Sequence, residues 1–338
     1  MRVGLDGWQP EDADWFSEIG ATITKFPLSE ADKGVNAGFT ERFTAARDAG
    51  MDVIIDLRPS AEVEQAIMSL QVDPDKTDER RTEVRDAWRN GIAEQVKAYG
   101  ADVYAWEVWG EFACPAVGGH YPSQKLQYPL LLRDASEAIR EVDPEARVWN
   151  GGYGVDFDRH WMDGILAADP DCESFTHQNW HHYNRRFYGT LDAEGYLQAG
   201  EPLHKRVRYS ADLYRDLFRT ARETCPRPLV SSEWGLHVVS DWMVEGSRYC
   251  GLFSMTVDGD IPALGDTEAA AYLEAWFEVF DEAGMEVLVY HRLRDTALPE
   301  TLGGGDRLFW GHFCGLLYAD GTPKERCLEV VKARCQQR

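Results

Sequence analysis

Short apolar runs alternate with longer amphipathic stretches along the whole of this 338-residue chain. The short runs are rich in β-branched residues, which predicts strands, whereas the stretches between them carry apolar residues at helical spacing. Strands are predicted over 2–6, 21–26, 51–57, 103–109, 146–150, 174–179, 228–233 and 285–290, with helices that include 81–99, 125–141, 208–224 and 267–284. A closed parallel barrel requires eight strands with helical connections. We therefore predict an α/β fold, a (β/α)8 TIM barrel that occupies 1–338 as a single domain.

A doubly wound nucleotide-binding sheet is the main structural competitor. Its first strand–helix turn would carry the pattern GxGxxG, but the segment 4–7 reads Gly-Leu-Asp-Gly. The glycine-rich segment 151–154 follows a predicted strand but lacks the required spacing. The barrel is therefore the better interpretation. Two long polar segments, at about 187–206 and 295–311, follow the sixth and eighth strands and are predicted to form the walls of a cleft.

The formal net charge of −23 comes from 58 acidic and 35 basic residues. A surface of this sign repels phosphate groups, so we expect no nucleic-acid partner and no binding to an anionic membrane. The seven cysteines include no CxxC pair, which indicates neither a disulfide framework nor a zinc cluster. The sequence has no recognisable signal peptide and no apolar run of membrane-spanning length, so we expect a cytoplasmic protein, or a secreted one if a leader precedes these residues. The oligomeric state is left open.

Two of the predicted strands end on a glutamate followed by a turn. The fourth leads into Glu111 through Trp-Glu-Val-Trp-Gly-Glu at 106–111, and the seventh contains Glu233 in Ser-Glu-Trp-Gly. In a parallel barrel the carboxyl ends of the strands form the active-site face, and strands four and seven lie on opposite sides of it. Two facing carboxylates are the minimum equipment for breaking a glycosidic bond. Tryptophans adjoin both glutamates, so Trp109 and Trp234 are candidate substrate-binding side chains.

These motifs resemble those of clan A of the glycoside hydrolases. The segment 106–111 is similar to the clan's strand-four motif W-x-x-W-N-E, and 232–235 is similar to its strand-seven nucleophile motif. The resemblance implies a TIM-barrel retaining glycoside hydrolase that cleaves a β-linked glycoside by double displacement. It assigns Glu233 as the nucleophile and Glu111 as the general acid/base. It implies a carbohydrate substrate, with no cofactor and no metal.

One residue departs from the clan's pattern. The clan places an asparagine before the acid/base, where its amide contacts the sugar 2-hydroxyl, and that position is Gly110 here. Hydrogen bonds to this hydroxyl strengthen in the transition state. Asn150 at the end of strand five, and Asn179 or His177 on strand six, are candidates to replace the missing donor. Gly110 also leaves open a substrate without the usual 2-hydroxyl, or a carbohydrate-binding barrel that is catalytically weak or inactive.

The remaining candidates lie on strands six and eight. The clan often places a histidine and a tyrosine after strand six, which implies His177 and Tyr183 as contacts in the sugar site. Because His177 and His181 are four residues apart, a metal-dependent barrel hydrolase also stays open, although the sequence has no HExxH pattern. The clan's tryptophan platform is missing from strand eight, so Tyr290 or Trp310 is expected to take its place.

Overall fold

The computed structural model describes residues 1–68, 79–110, 121–152, 165–166, 169–183, 202–236, 238–239, 254–255, 259–260, 264–295 and 314–337. The longer strands are β1 (Arg2–Leu5), β2 (Ile23–Leu28), β3 (Asp52–Leu57), β4 (Val103–Val108), β5 (Val148–Asn150), β6 (Gln178–Tyr183), β7 (Leu229–Gly235) and β8 (Val287–Tyr290). The helices are α1 (Ala13–Ile19), α2 (Ala37–Asp48), α3 (Ala61–Met68), α4 (Glu79–Tyr99), α5 (Tyr121–Val142), α6 (Leu203–Thr224), α7 (Asp266–Glu282) and α8 (Glu325–Gln336). Shorter elements are the 3-10 turns Pro10–Asp12, Ala31–Lys33 and Gly100–Asp102, and the two-residue strands Val238–Val239, Ser254–Met255, Gly259–Asp260 and Leu264–Gly265.

The eight longer strands are parallel and form two sheets, in the orders β2-β3-β4-β5 and β6-β7-β8-β1. The two sheets meet at both edges. At one seam Trp149 of β5 forms a parallel bridge with His177, which immediately precedes β6. At the other seam, a Cβ atom on Gly4 of β1 would stand 2.4 Å from the carbonyl oxygen of Ile23 in β2, so the close approach requires glycine. The architecture is a (β/α)8 barrel, which confirms the predicted fold class.

The barrel interior has an apolar layer beneath a polar layer because side chains alternate along each strand. The apolar layer is a cluster of buried residues from six strands: Ile23, Ile54, Ala105, Trp149, Val230, Val287 and Val289. Two residues further along β2, β3, β4 and β8, the corresponding positions are Lys25, Asp56, Glu107 and His291. Ionisable groups therefore lie at the carboxyl ends of the strands, directly above the apolar layer.

The helices cover the outer face of the barrel, and the larger part of the core lies between them and the strands. The indole N–H of Trp276 in α7 donates a 2.7 Å hydrogen bond to Ser210 of α6. Arg85 of α4 donates two 2.6 Å hydrogen bonds to Asp134 of α5, a carboxylate that is fully buried. Each large apolar side chain buried in this layer contributes roughly 1.5–3 kcal/mol. The helical layer thus stabilises the barrel on which the polar groups are mounted.

The predicted strands agree with the observed ones to within two residues, except at β6. This strand is Gln178–Tyr183 and not 174–179, because its polar residues supply no apolar pattern that fixes its position. The α6 helix begins at Leu203, inside the segment that was predicted as loop to residue 206. Positions 187–201 and 296–311 of the two predicted cleft loops lie outside the described residues. Within the described ranges, no helix is both long enough and apolar enough to span a lipid bilayer.

Candidate active site

Six ionisable side chains from different strands converge at the carboxyl end of the barrel. These residues, which we call the mouth cluster, are Asp6 after β1, Lys25 on β2, Glu107 on β4, His181 on β6, Glu233 on β7 and His291 after β8. Neighbouring members are separated by 2.8 Å, between His291 and Asp6, up to 3.9 Å, between His291 and Glu233. The contacts join residues that are far apart in the sequence, so the arrangement of the two sheets around one barrel creates the cluster.

Lys25 lies between two carboxylates. Its Nζ stands 3.1 Å from Oε2 of Glu233 and 3.4 Å from Oε2 of Glu107, and the residue is only 2% exposed. Burial by itself disfavours the charged ammonium, but the charges of Glu107 and Glu233 prevail and raise the pKa of Lys25 above its ordinary value. Lys25 is therefore a permanent cation in the floor of the site.

Glu107 is fully buried on β4. Its Oε1 lies 3.1 Å from Nε2 of His181 and accepts a 3.3 Å hydrogen bond from the backbone N–H of Gly152. Burial opposes ionisation, yet Lys25 and His181 outweigh it and hold the pKa of Glu107 at about 2. Glu107 consequently stays ionised at neutral pH and is unsuited to donate a proton to a leaving group.

Glu233 is largely buried but keeps some contact with solvent, with 9% of the residue exposed, whereas Glu107 has none. Among the described residues, three nitrogen atoms lie close to its carboxylate: Nζ of Lys25 at 3.1 Å, Nδ1 of His181 at 3.8 Å and Nδ1 of His291 at 3.9 Å. These nitrogen atoms orient the Glu233 carboxylate at the carboxyl end of the barrel. It is able to attack an electrophilic carbon placed above it.

His181 and Ser232 connect the cluster to a buried network of amides. Nε2 of His181 lies 2.9 Å from Oγ of Ser232, which accepts a 2.8 Å hydrogen bond from the side-chain amide of Asn179. The Asn179 amide oxygen accepts the backbone N–H of Ser232, and the Asn150 amide oxygen accepts the backbone N–H of Asn179, both at 2.8 Å. Both asparagines are fully buried. Asn150 and Asn179 therefore join β5, β6 and β7, and the structure engages within the sheet the two amides that were predicted as donors to a sugar.

Asp6 and His291 form the opposite side of the mouth cluster. Nδ1 of His291 lies 2.8 Å from Oδ2 of Asp6, and Arg292 Nε donates a 3.3 Å hydrogen bond to Nε2 of the same ring. Because Nε2 accepts, the ring hydrogen resides on Nδ1 and is donated to Asp6. Asp6, Glu233 and His291 bring one ligand atom each within 4.8 Å of one another, a spacing that a divalent cation could bridge. The Nδ1 hydrogen and the Lys25 ammonium compete with a cation at that point.

Asp56 fills the space beside Gly110. Its Oδ1 accepts a 2.7 Å hydrogen bond from the Gly110 backbone N–H, and its Oδ2 accepts a 2.7 Å hydrogen bond from Nε of Arg58. A Cβ atom at position 110 would lie 2.7 Å from Oδ2 of Asp56 and 2.9 Å from Oε1 of Glu107. A side chain at position 110 would thus displace two buried carboxylates, which accounts physically for glycine where the clan has asparagine.

Several predicted site residues lie away from the mouth cluster. Trp234 and Tyr290 are fully buried, and their rings make an edge contact at 5.1 Å in the core between strands and helices. They follow inward-facing positions, so alternation turns them outward and places both rings away from the mouth cluster. The ring of Trp109 packs at 6.5 Å from that of Tyr128 and is 8% exposed, at the edge of the same core.

His177 lies at the opposite end of the barrel from Glu233. Its Nδ1 stands 2.8 Å from Oγ1 of Thr176, and its Nε2 stands 3.2 Å from Oε2 of Glu286, which immediately precedes β8. The structure therefore places His177 outside the mouth cluster and does not bring His177 and His181 together. The four-residue displacement of β6 explains the difference from the prediction, because the inward positions of the true strand include His181.

Three predicted site residues are not available for comparison with this geometry. Glu111 directly follows Gly110 and, like Trp310, lies outside the described residues. For Tyr183 only the backbone is described, and it pairs with Gly235 of β7. Glu233 remains as the predicted catalytic residue that the described structure places in the mouth cluster.

Solved structures share this fold. A family 39 glycoside hydrolase from the gut symbiont Bacteroides cellulosilyticus WH2 is 16% identical with a TM-score of 0.60, and the alignment covers 99% of this chain and 63% of that one. An exo-β-1,4-mannosidase from Opitutaceae bacterium strain TAV5 is 16% identical with a TM-score of 0.59, covering 100% and 60%. An endo-β-1,4-mannanase from Thermotoga petrophila is 14% identical with a TM-score of 0.57, covering 99% and 76%.

The chain spans less than two thirds of the length of the first two of these structures. At such identities the similarity concerns the fold, which is the barrel of these glycoside hydrolases. No family model and no curated protein matches the sequence. The chemistry of the mouth cluster must therefore carry any conclusion about activity.

Proposed function

We propose that the protein is a retaining glycoside hydrolase that cleaves a β-linked glycoside, with Glu233 as the nucleophile and Glu111 as the general acid/base. The observation that carries the proposal is the position of Glu233 at the carboxyl end of β7, partly open and surrounded by Lys25, His181 and His291. Two of the solved structures that share the fold are named as enzymes that act on β-1,4-mannosides or mannans, which supports a β-linked substrate.

Glu107 is the obvious rival for the second carboxyl group. It contacts Lys25 just as Glu233 does, but it is fully buried and its pKa is about 2. A general acid needs a pKa near the operating pH and access to the leaving group. The Gly110 backbone is fixed to Asp56 at the end of β4, and Glu111 is the next residue in the sequence. These facts favour Glu111 over Glu107 as the proton donor.

The proposed reaction has two steps. An oxygen of Glu233 attacks the anomeric carbon while the glycosidic C–O bond breaks, and Glu111 gives its proton to the departing oxygen. Water then attacks the same carbon, Glu111 takes the proton from that water, and the ester bond to Glu233 breaks. Lys25 remains charged throughout and holds the carboxylate of Glu233 in position from below.

A carbohydrate-binding barrel without hydrolysis is the second candidate. It is favoured by Gly110, which provides no amide, and by Asn150 and Asn179, whose amides are engaged within the sheet. In that case sugars bind at the mouth cluster and no glycoside is turned over.

Covalent trapping separates the two candidates. The protein would be incubated with a panel of activated 2-fluoro β-glycosides, followed by proteolysis and peptide mass mapping. The expected result is one label per chain on the peptide that contains Glu233, with no label in Glu233→Gln. Glu286→Gln, on the opposite end of the barrel, is the matched control and should label normally. Labelling of another residue, or unchanged glycoside turnover in Glu233→Gln, would contradict the proposed mechanism.

A further inference from the structure

Arg58 lies at the carboxyl end of β3. Its Nε is held by a hydrogen bond, and the side chain is partly exposed to solvent. Its Nε donates to Oδ2 of Asp56 at 2.7 Å, and Asp56 is fully buried. The Arg58 side chain is 35% exposed. In the described part of the chain, its two terminal nitrogens make no hydrogen bond or ion pair. A guanidinium is a rigid planar fork, so fixing Nε also sets the direction of these terminal N–H groups.

The guanidinium of Arg58 lies close to the mouth cluster. The charges of Glu233 and Glu107 both act on its guanidinium and, with the larger effect of Asp56, raise the pKa of Arg58. Nε of Arg58 lies 2.7 Å from Oδ2 of Asp56. A Cβ atom at position 110 would lie at the same distance, 2.7 Å, from that oxygen. The guanidinium therefore borders the space that a side chain at position 110 would occupy.

Three other hydrogen-bond donors near the mouth, on Lys25, Asn150 and Asn179, already contact protein groups. Lys25 is held between two carboxylates and is 2% exposed, and the Asn150 and Asn179 amides are buried within the sheet. Arg58 combines an exposed donor with a fixed orientation on the same side of the barrel. A charged donor also makes a stronger hydrogen bond to a hydroxyl group than a neutral amide does.

We propose that Arg58 binds the substrate and donates a hydrogen bond to the sugar hydroxyl on the carbon next to the scissile bond, in place of the side chain that residue 110 lacks. Asp56 acts as the positioning residue through its hydrogen bond to Nε. This inference rests on the proposed function, because it assumes that the sugar lies between Glu233 and residue 111. It goes further by assigning a contact to one substituent of that sugar.

The test compares a β-glycoside with its 2-deoxy counterpart, using the sugar identified by the trapping panel. The ratio of the two kcat/KM values would be measured for the wild type, Arg58→Met and Arg58→Lys. The matched control is Arg85→Met, because Arg85 is 33% exposed and is likewise fixed by a fully buried aspartate, but between α4 and α5. Each protein serves as its own reference, so the intrinsic lability of the 2-deoxy substrate cancels.

In Arg58→Met the ratio is expected to fall at least about tenfold, since only the parent substrate loses a charge-assisted hydrogen bond. Arg58→Lys should retain part of the discrimination, and Arg85→Met should retain all of it. An equal loss on both substrates in Arg58→Met, with an unfolding midpoint like that of the wild type, would overturn the proposal. An unchanged ratio would overturn it too.

A binding measurement keeps this inference separate from the proposed function. Calorimetry would be run on Glu233→Gln with and without Arg58→Met, using each sugar of the panel and its 2-deoxy counterpart, so that this measurement does not depend on trapping. If no glycoside is hydrolysed by the wild type, the hydrolase proposal fails, but loss of 2-hydroxyl discrimination in the double variant still supports Arg58. Equal weakening of both sugars, or binding of neither sugar to either protein, refutes the contact.

Discussion

Lys25 Nζ lies 3.1 Å from Oε2 of Glu233 although 208 residues separate them in the chain. The same nitrogen stands 3.4 Å from Glu107, so one buried ammonium is shared between an enclosed carboxylate and a partly open one. Removing one partner from a buried ion pair leaves an uncompensated charge, which is far more costly than losing an exposed pair. The stability of the barrel and the electrostatics of its mouth are thus coupled through Lys25.

Lys25→Met is expected to destabilise the fold by about 3–5 kcal/mol, because Glu107 and Glu233 would then face each other without their common cation. Chemical denaturation monitored by tryptophan fluorescence measures this change. Lys33→Met is the control, since Lys33 makes a 2.7 Å pair with Glu62 but is 49% exposed, and it should unfold close to the wild type. Similar midpoints for the two variants would contradict a structural role for the shared ammonium.

Glu107→Gln is expected to change the dependence of stability on pH. The pKa of Glu107 is about 2 in the folded chain, below its ordinary value near 4.3, so its contribution is present above about pH 4.3 and is lost as the pH falls towards 2. The wild type should therefore exceed Glu107→Gln in free energy of unfolding at pH 7, with the gap narrowing on acidification. Urea denaturation at several pH values measures this gap. A difference that stays constant between pH 7 and pH 3 would show that the folded pKa of Glu107 is not depressed.

Gly110→Ala is expected to cost about 1–3 kcal/mol, because the added methyl group would press on Asp56 and Glu107 at under 3 Å. Gly38→Ala is the control, since a Cβ there meets its nearest neighbour, Asn36, at 3.5 Å. Alanine at position 38 of α2 should be neutral or stabilising by up to about 1 kcal/mol. Thermal unfolding of both variants measures the difference in stability. Equal stability of the two would mean that Asp56 and Glu107 yield easily, and glycine at 110 would then need another explanation.

The sequence was sufficient to predict the barrel and the position of Glu233, for a physical reason. Alternation in a strand needs only local information, and a glutamate at the end of an apolar run stands out. The partners of Glu233 could not be predicted in the same way. A lysine on strand two carries no sign of which carboxylates it will contact, because those contacts arise only when β2, β4 and β7 come together in the folded chain.

The differences between the predicted and the observed positions of the site residues have an equally local origin. The polar run of β6 offers no apolar period, so its position was displaced by four residues and His177 was assigned where His181 belongs. The tryptophan beside Glu233 was assigned to the sugar from proximity in sequence, yet adjacent residues in a strand face opposite ways. The alternation of side chains along β7, which turns Glu233 inward, also turns Trp234 outward and could have been used to predict its orientation.

The two histidines of this region allow a direct test of that correction. His181→Asn is expected to lower kcat/KM on a β-glycoside by about a hundredfold or more, because its ring supports Glu107 at 3.1 Å and lies 3.8 Å from Glu233. His177→Asn should remain within about threefold of the wild type, since its contacts with Thr176 and Glu286 lie at the other end of β6. Initial rates for the two purified variants, with unfolding midpoints to confirm that both are folded, provide the measurement. A greater loss in His177→Asn than in His181→Asn would show that the reaction takes place at the opposite face of the barrel, and the active site would have to be moved there.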